Sequence, residues 1–167
     1  MNSLENFKSI KTFVFDMDGV LTDGKLWIMS GSDWIRNMHI RDGLGIVNAV
    51  NKGYRVIIIS GSESEPVKKR LHALGVKDVF MNVSDKKSRL EKLIKKYKLD
   101  LTEILYMGDD TPDYSCMKIV GLPACPNNAI SDLKKISKYI SPFNGGEGCV
   151  RDVIEKVLWL NDHWTLE

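Results

Sequence analysis

The chain has 167 residues, enough for one hydrophobic core and too few for two of ordinary size. Its 24 Lys+Arg against 22 Asp+Glu leave a net charge of +2, which gives no electrostatic basis for binding nucleic acid or an anionic membrane and points to a small-molecule partner. The three cysteines, Cys116, Cys125 and Cys149, are odd in number and lack metal-site spacing, so they read as reduced, buried thiols of a cytoplasmic protein.

The first ten residues carry Glu5 and Lys8 without a targeting-type apolar segment, and no run is long enough to span a bilayer; a soluble, unprocessed chain is expected. From residue 11 onward, β-rich runs at 11–15, 54–59, 78–81, 103–107 and 122–125 alternate with helical patterns at Asp42–Lys52, Ser64–Leu74, Lys86–Tyr97, Pro112–Ile119, 129–137 and 148–160. This is the signature of βαβ units, and predicts an α/β fold with a Rossmann-like parallel sheet flanked by helices, as one domain over 1–167. The clearest helix starts at Lys86, where Leu90, Leu93, Ile94 and Tyr97 recur at i, i+3, i+4 and i+7.

The segment 24–40 departs from the alternation. Lys25–Met29 and Asp33–Met38 flank a Ser30-Gly31-Ser32 turn, as a β-hairpin inserted after the first strand would. A two-stranded ribbon bearing Trp27, Met29, Trp34 and Met38 is marginal alone, so it should pack on its own domain or on another subunit.

Four sites fall where parallel sheets place ligands, just past the carboxyl ends of strands. The first strand ends in Asp16-Met17-Asp18-Gly19, two acids that need a cation or a shared proton. The second ends in Ser60-Gly61-Ser62, a hydroxyl and close-approaching amides that would cradle an oxyanion or merely cap the next helix. Lys86 opens the following helix, as a point charge for phosphate or as a surface lysine. The fourth, Gly108-Asp109-Asp110-Thr111-Pro112-Asp113, again sets acids after an apolar run, and taken alone reads equally as an acidic helix cap. Together, Asp16, Asp18 and Asp109 form an oxygen-rich set of the kind Mg²⁺ prefers, with Ser60 and Lys86 on the anion side.

These four motifs, in this order and over nearly the whole chain, resemble those of the haloacid dehalogenase superfamily phosphatases. Within it, Asp18–Gly24 followed by the hairpin, Arg41-Asp42-Gly43-Leu44-Gly45, and the late Gly145-Gly146-Glu147-Gly148-Cys149-Val150-Arg151-Asp152 resemble the capless 3-deoxy-D-manno-octulosonate 8-phosphate phosphatases of lipopolysaccharide precursor synthesis. The resemblance implies that Asp16 is the nucleophile forming an aspartyl phosphate, and that Asp18 is the general acid and then base. It implies Mg²⁺ held by the Asp16 carboxylate, the Asp18 main-chain carbonyl and Asp109, with Ser60, the Gly61 amide and Lys86 on the phosphoryl oxygens. Asp110 and Asp113 would orient Lys86 or metal-bound water. Arg41 and Arg70 would meet the substrate carboxylate. It further implies a homotetramer in which one subunit's hairpin covers part of the next subunit's site, in place of a cap domain. The Gly145–Gly148 loop would close from a neighbour or from its own chain.

One departure bears on substrate. Where octulosonate phosphatases commonly carry an arginine after the Ser-Gly pair, and the related nine-carbon sugar acid 9-phosphate phosphatases a glutamate, this chain has Ser62. Ala73 stands where the nine-carbon branch offers a lysine, which favours the eight-carbon substrate. The alternatives are the nine-carbon 9-phosphate and a binding module that has kept the fold without turnover. His39, His72 and His163 are scattered without metal-site spacing, and Tyr54, Tyr106, Trp159 and Trp164 read as packing residues.

Overall fold

The computed structural model describes residues 3–31 and 34–165. Its centre is β1 (Thr12–Phe15), four consecutive buried residues of the sequence Thr-Phe-Val-Phe, a run without polar alternation that suits a strand covered on both faces. β2 (Arg55–Ile59) and β3 (Asp78–Phe80) extend the sheet on one side of β1, and β4 (Ile104–Met107), β5 (Leu122–Cys125) and β6 (Tyr139–Ile140) extend it on the other. The order is β3-β2-β1-β4-β5-β6 and every pairing is parallel. The chain therefore reverses its direction of growth between β1 and β4, the topological switch point where a crevice opens above the carboxyl ends of the strands.

Alternate residues of each strand serve opposite faces. Phe13, Phe15, Val56, Ile58, Leu105 and Met107 pack against α1 (Ser3–Lys8), α2 (Ile40–Asn51), α3 (Glu65–Ala73) and α7 (Cys149–Leu160). Val14, Ile57, Ile59, Ile104 and Tyr106 pack against α4 (Lys86–Tyr97), α5 (Tyr114–Met117) and α6 (Ser131–Ile136). Each buried large side chain contributes about 1.5–3 kcal/mol, so the two layers hold the strand ends in fixed register. Across the first layer, buried Asp42 of α2 accepts the Arg151 amide of α7 at 2.7 Å, capping that helix from another element.

The expected strands and helices lie close to the observed ones, with three differences. The predicted helix Pro112–Ile119 divides into a 3₁₀ turn, Thr111–Asp113, and the short α5. Helix α1 and edge strand β6 were not expected: six and two residues are too few to display a period. The hairpin is looser than expected. Its two arms meet through isolated antiparallel pairings, Trp27 with Ile35 and Thr22 with Met38, rather than continuous strands. The Trp27 and Ile35 amides each donate to the other's carbonyl, at 3.1 and 3.2 Å. With no third strand on which to lean, such a ribbon pairs only locally. Ser32 of the expected turn and Asp33 lie outside the described residues. No described helix is long and apolar enough to cross a membrane.

Candidate active site

The ends of β1, β2 and β4 and the start of α4 converge on a cavity of about 460 Å³ lined by Asp16, Asp18, Ser60, Gly61, Lys86 and Asp109, among others. Asp16 leaves the sheet as β1 ends, its amide donating to Met107 of β4 at 3.1 Å. Its Oδ1 accepts the Met17 amide at 2.7 Å and pairs with Lys86 Nζ at 2.8 Å. Lys86 projects from the first position of α4, 4% exposed, and its ammonium also reaches Asp113 Oδ1 at 2.8 Å. Asp113 is wholly buried and collects two more donors, the Tyr106 hydroxyl at 2.7 Å and the Asp109 amide at 3.2 Å.

Burying and crowding acids under the sheet edge raises the proton affinity of two of them, Asp16 and Asp109. Burial, with the Asp113 charge adding to it and Lys86 opposing, holds the Asp16 carboxyl well above its ordinary range. Burial, then the charges of Asp113 and Asp110, push Asp109 up to about 7. Lys86 is pulled down by its own burial, but Asp113 and Asp16 outweigh this and leave the ammonium firmly protonated, above its usual range.

Such a site suits a hard dication. Carboxylate oxygens of Asp16, Asp109 and Asp113 lie within 4.8 Å of one another. Asp109 Oδ1 is buried and, among the described residues, has no hydrogen-bond partner. An orphaned carboxylate oxygen amid other acids is the donor chemistry of Mg²⁺. Gly19 makes the close approach possible: at φ 87°, a side chain there would put its Cβ 2.0 Å from Asp109 Oδ2.

Asp18 lines the same cavity but has a different set of partners. Its carboxylate accepts Arg36 Nε at 2.8 Å and a second guanidinium nitrogen at 3.3 Å, the Thr22 hydroxyl at 3.2 Å, and the Ser62 hydroxyl. The expectations for this site gave no role to Arg36 or Thr22, and read Ser62 as part of the Ser60-Gly61-Ser62 cradle and as a departure bearing on substrate, not as a partner of Asp18. Period-two alternation would have indicated Arg36, because Trp34, Arg36 and Met38 share one ribbon face and Met38 packs against the core.

The remaining predicted residues are placed as follows. Ser60 is buried and accepts the Ser62 amide at 3.2 Å, while Gly61 is exposed at the cavity rim. Asp110 lines the same cavity, but its carboxylate caps the 3₁₀ turn by accepting the Thr111 amide at 2.6 Å rather than reaching Lys86. Arg70 lines a neighbouring groove between the ribbon and α3, together with Trp34, Arg36 and Met38. Arg41 lines a separate cavity beside Arg151, Lys156 and Trp159. The Gly145–Gly148 loop closes on its own chain: Gly146 donates to Val20 O at 2.9 Å, and a Cβ at Gly145 would stand 1.8 Å from Gly19 O.

A parallel sheet with paired aspartates at its switch point, a lysine from the third βα unit and an acidic turn after the fourth strand is the architecture of a phosphoryl-transferring hydrolase. Residues 77–154 match the family model of haloacid dehalogenase-like hydrolases. The chain is 29% identical over 154 residues to the 3-deoxy-D-manno-octulosonate 8-phosphate phosphatase of Haemophilus influenzae, covering 92% of this chain and 86% of that one. It is 30% identical over 151 residues to the protein of the same name from Escherichia coli K12, covering 90% and 80%. The crystal structure of 3-deoxy-D-manno-octulosonate 8-phosphate phosphatase from Moraxella catarrhalis, in complex with magnesium ion, phosphate ion and KDO, matches at TM-score 0.92 and 31% identity, covering 96% of this chain and 93% of that one. The chain belongs to the 3-deoxy-D-manno-octulosonate 8-phosphate phosphatase family of haloacid dehalogenase-like hydrolases.

Proposed function

We propose that the chain is a Mg²⁺-dependent phosphomonoesterase that hydrolyses 3-deoxy-D-manno-octulosonate 8-phosphate through an aspartyl-phosphate intermediate. The observation that carries this is the unequal treatment of the Asp16 oxygens. Oδ1 is tied to Lys86 and the Met17 amide, and among the described residues no bond engages Oδ2, which is left to attack phosphorus. As the Asp16 Oδ2–P bond forms and the ester P–O bond breaks, Asp18 gives its proton to the departing sugar oxygen. Asp18 then takes a proton from the water that attacks the aspartyl phosphate, releasing phosphate and restoring Asp16. Ser60, the Gly61 amide and Lys86 hold the phosphoryl oxygens, and Asp113 fixes the Lys86 ammonium. Asp16, Asp109 and the Asp18 main-chain carbonyl would hold Mg²⁺, whose charge would offset the repulsion between the anionic nucleophile and the anionic ester.

Arg70, in the groove beside the ribbon, and Arg41, which lines a separate cavity and would be offered by another copy of the chain, belong to this reading as ligands of the sugar acid carboxylate, and Asp110 as a cap that holds the acidic turn beside Asp109. The chain acts as a single domain, cytoplasmic and homotetrameric. Supporting assembly, Trp27, Ile28 and Met29 of the ribbon are between half and two-thirds exposed, apolar surface that a second copy would cover. The test is phosphate release, with Mg²⁺ and with chelator, from the octulosonate 8-phosphate, a nine-carbon keto-acid 9-phosphate and glucose 6-phosphate. A chelator-sensitive preference for the first in kcat/KM is expected; preference for the second, or no turnover of any, overturns the proposal.

A further inference from the structure

The two aspartates are held by different cations from different parts of the molecule. Asp16 pairs with a lysine at the head of a core helix. Asp18 pairs with an arginine of the ribbon, and does so at both oxygens: Nε meets Oδ1 at 2.8 Å and a terminal nitrogen meets Oδ2 at 3.3 Å. The Arg36 side chain is 5% exposed while that of Asp18 is 30% exposed, so the buried partner is the cation and the acid faces the cavity. The third guanidinium nitrogen donates to Trp34 O at 3.3 Å, tying the fork to the ribbon that carries it. A planar fork meeting a carboxylate at two points fixes the plane of the carboxylate as well as its position, which a lysine cannot do. Arg36 lines the groove beside α3 and is not among the residues lining the cavity over Asp16, whereas Asp18 is.

We infer that Arg36 is a positioning residue for the reaction: it sets the orientation from which Asp18 reaches the departing ester oxygen, and it makes the ribbon part of the catalytic apparatus. The inference rests on the reading of Asp18 as proton donor, and predicts a particular pattern of defects. A proton donor matters in proportion to the basicity of the leaving group. A sugar alkoxide or phenolate needs the proton, whereas 2,4-dinitrophenolate departs without it. Neither aryl ester carries a carboxylate that Arg36 could bind instead.

The experiment measures kcat/KM, which covers events up to the first ester cleavage, for phenyl phosphate, 2,4-dinitrophenyl phosphate and the sugar acid phosphate. The proteins are the wild type, Arg36→Met, Arg36→Lys, Asp18→Asn and the Asp18→Asn/Arg36→Met double variant. Arg36→Met is expected to lose about 100-fold on phenyl phosphate and at least about tenfold less on the dinitrophenyl ester. Arg36→Lys should recover part of the loss on the poor leaving groups alone. The double variant should be no worse than Asp18→Asn, because the arginine acts only through that carboxylate. Equal losses on both aryl esters would overturn the inference, since a general structural defect does not sort leaving groups. Loss confined to the sugar acid would overturn it too, by making Arg36 a substrate ligand. Should Asp18→Asn itself show no leaving-group dependence, the assignment of Asp18 fails; should the wild type cleave none of the three esters, the phosphatase reading fails. Either result removes this inference with it.

Discussion

The sheet edge around Asp16 and the ribbon over Asp18, joined through the Arg36–Asp18 pair, are built by opposite means. At the edge, each functional group leaves a strand or helix already fixed by two packed layers, and the ion pairs among Lys86, Asp16 and Asp113 are nearly closed to solvent. In the ribbon, two isolated pairings replace a strand ladder, and Trp27, Ile28 and Ile35 face outward. The edge is placed by burial of its surroundings, whereas the ribbon is placed by Met38 against the core, by the buried Arg36 and by two local pairings. Chemistry that must be exact in position sits on the first, and a group that must move a proton twice is attached to the second.

Four measurements would break or sharpen that contrast. The largest effect is expected for Asp16→Asn, which keeps the Oδ1 acceptor but loses the nucleophile: turnover should fall at least about a thousandfold with the circular dichroism spectrum unchanged. A variant that still turns over would refute the role given to the sheet edge. Next is Asp113→Asn, which leaves Lys86 paired with Asp16 alone and weakens the acceptor for the Tyr106 hydroxyl; urea titration should show a loss of about 1–2 kcal/mol, the cost of weakened buried hydrogen bonds with the second ion pair intact.

A smaller effect concerns pH. Folding raises Asp109 from 3.8 to about 7, through burial first and then Asp113 and Asp110, and raises Asp16 as well. The native state thus binds these protons more tightly than the unfolded chain. Their contribution in a chelated sample is complete below pH about 4 and is lost as pH rises through about 7. Melting temperatures in chelator should decline from pH 5 to 8, less steeply in Asp109→Asn, and Mg²⁺ should remove much of the decline. Smallest is Ile28→Ser, at a residue 67% exposed in the ribbon. Monomer stability should change by less than about 0.5 kcal/mol, while sedimentation should report weaker self-association.

The same contrast explains what the sequence made legible. Phe13–Phe15 and Val56–Ile59 are continuous apolar runs ending in polar residues, and local pattern alone places their ends at the sheet edge with Asp16 and Ser60. Lys86 opens a helix of strict periodicity, so its position was equally clear. Asp113 was legible as a neighbour of the site, but its place between Lys86, Tyr106 and the Asp109 amide depends on the break between a 3₁₀ turn and α5, which no periodicity announces. Arg36 was less legible because its partner lies eighteen residues away across a loop, and only its alternation with Met38 along an irregularly paired ribbon pointed it inward. Arg41 and Arg70 show the reverse: their residue type suggested a role, and three-dimensional placement put each in a different cavity from Asp16.

The seam between Gly19 and Gly145 has a consequence for how the protein is made. It joins the loop after the first strand to the lead-in of the last helix, with backbone against backbone and no room for a side chain. The seat for that loop therefore appears only when nearly the whole chain is available, since contacts so distant in sequence close late. A nascent polypeptide that has already formed β1 to β5 carries all four motifs and is expected to be inert. A chain ended at 140 should lack turnover, and a full-length chain carrying Gly145→Val should fold more slowly and lose activity with it, so that catalysis itself reports completion of the fold.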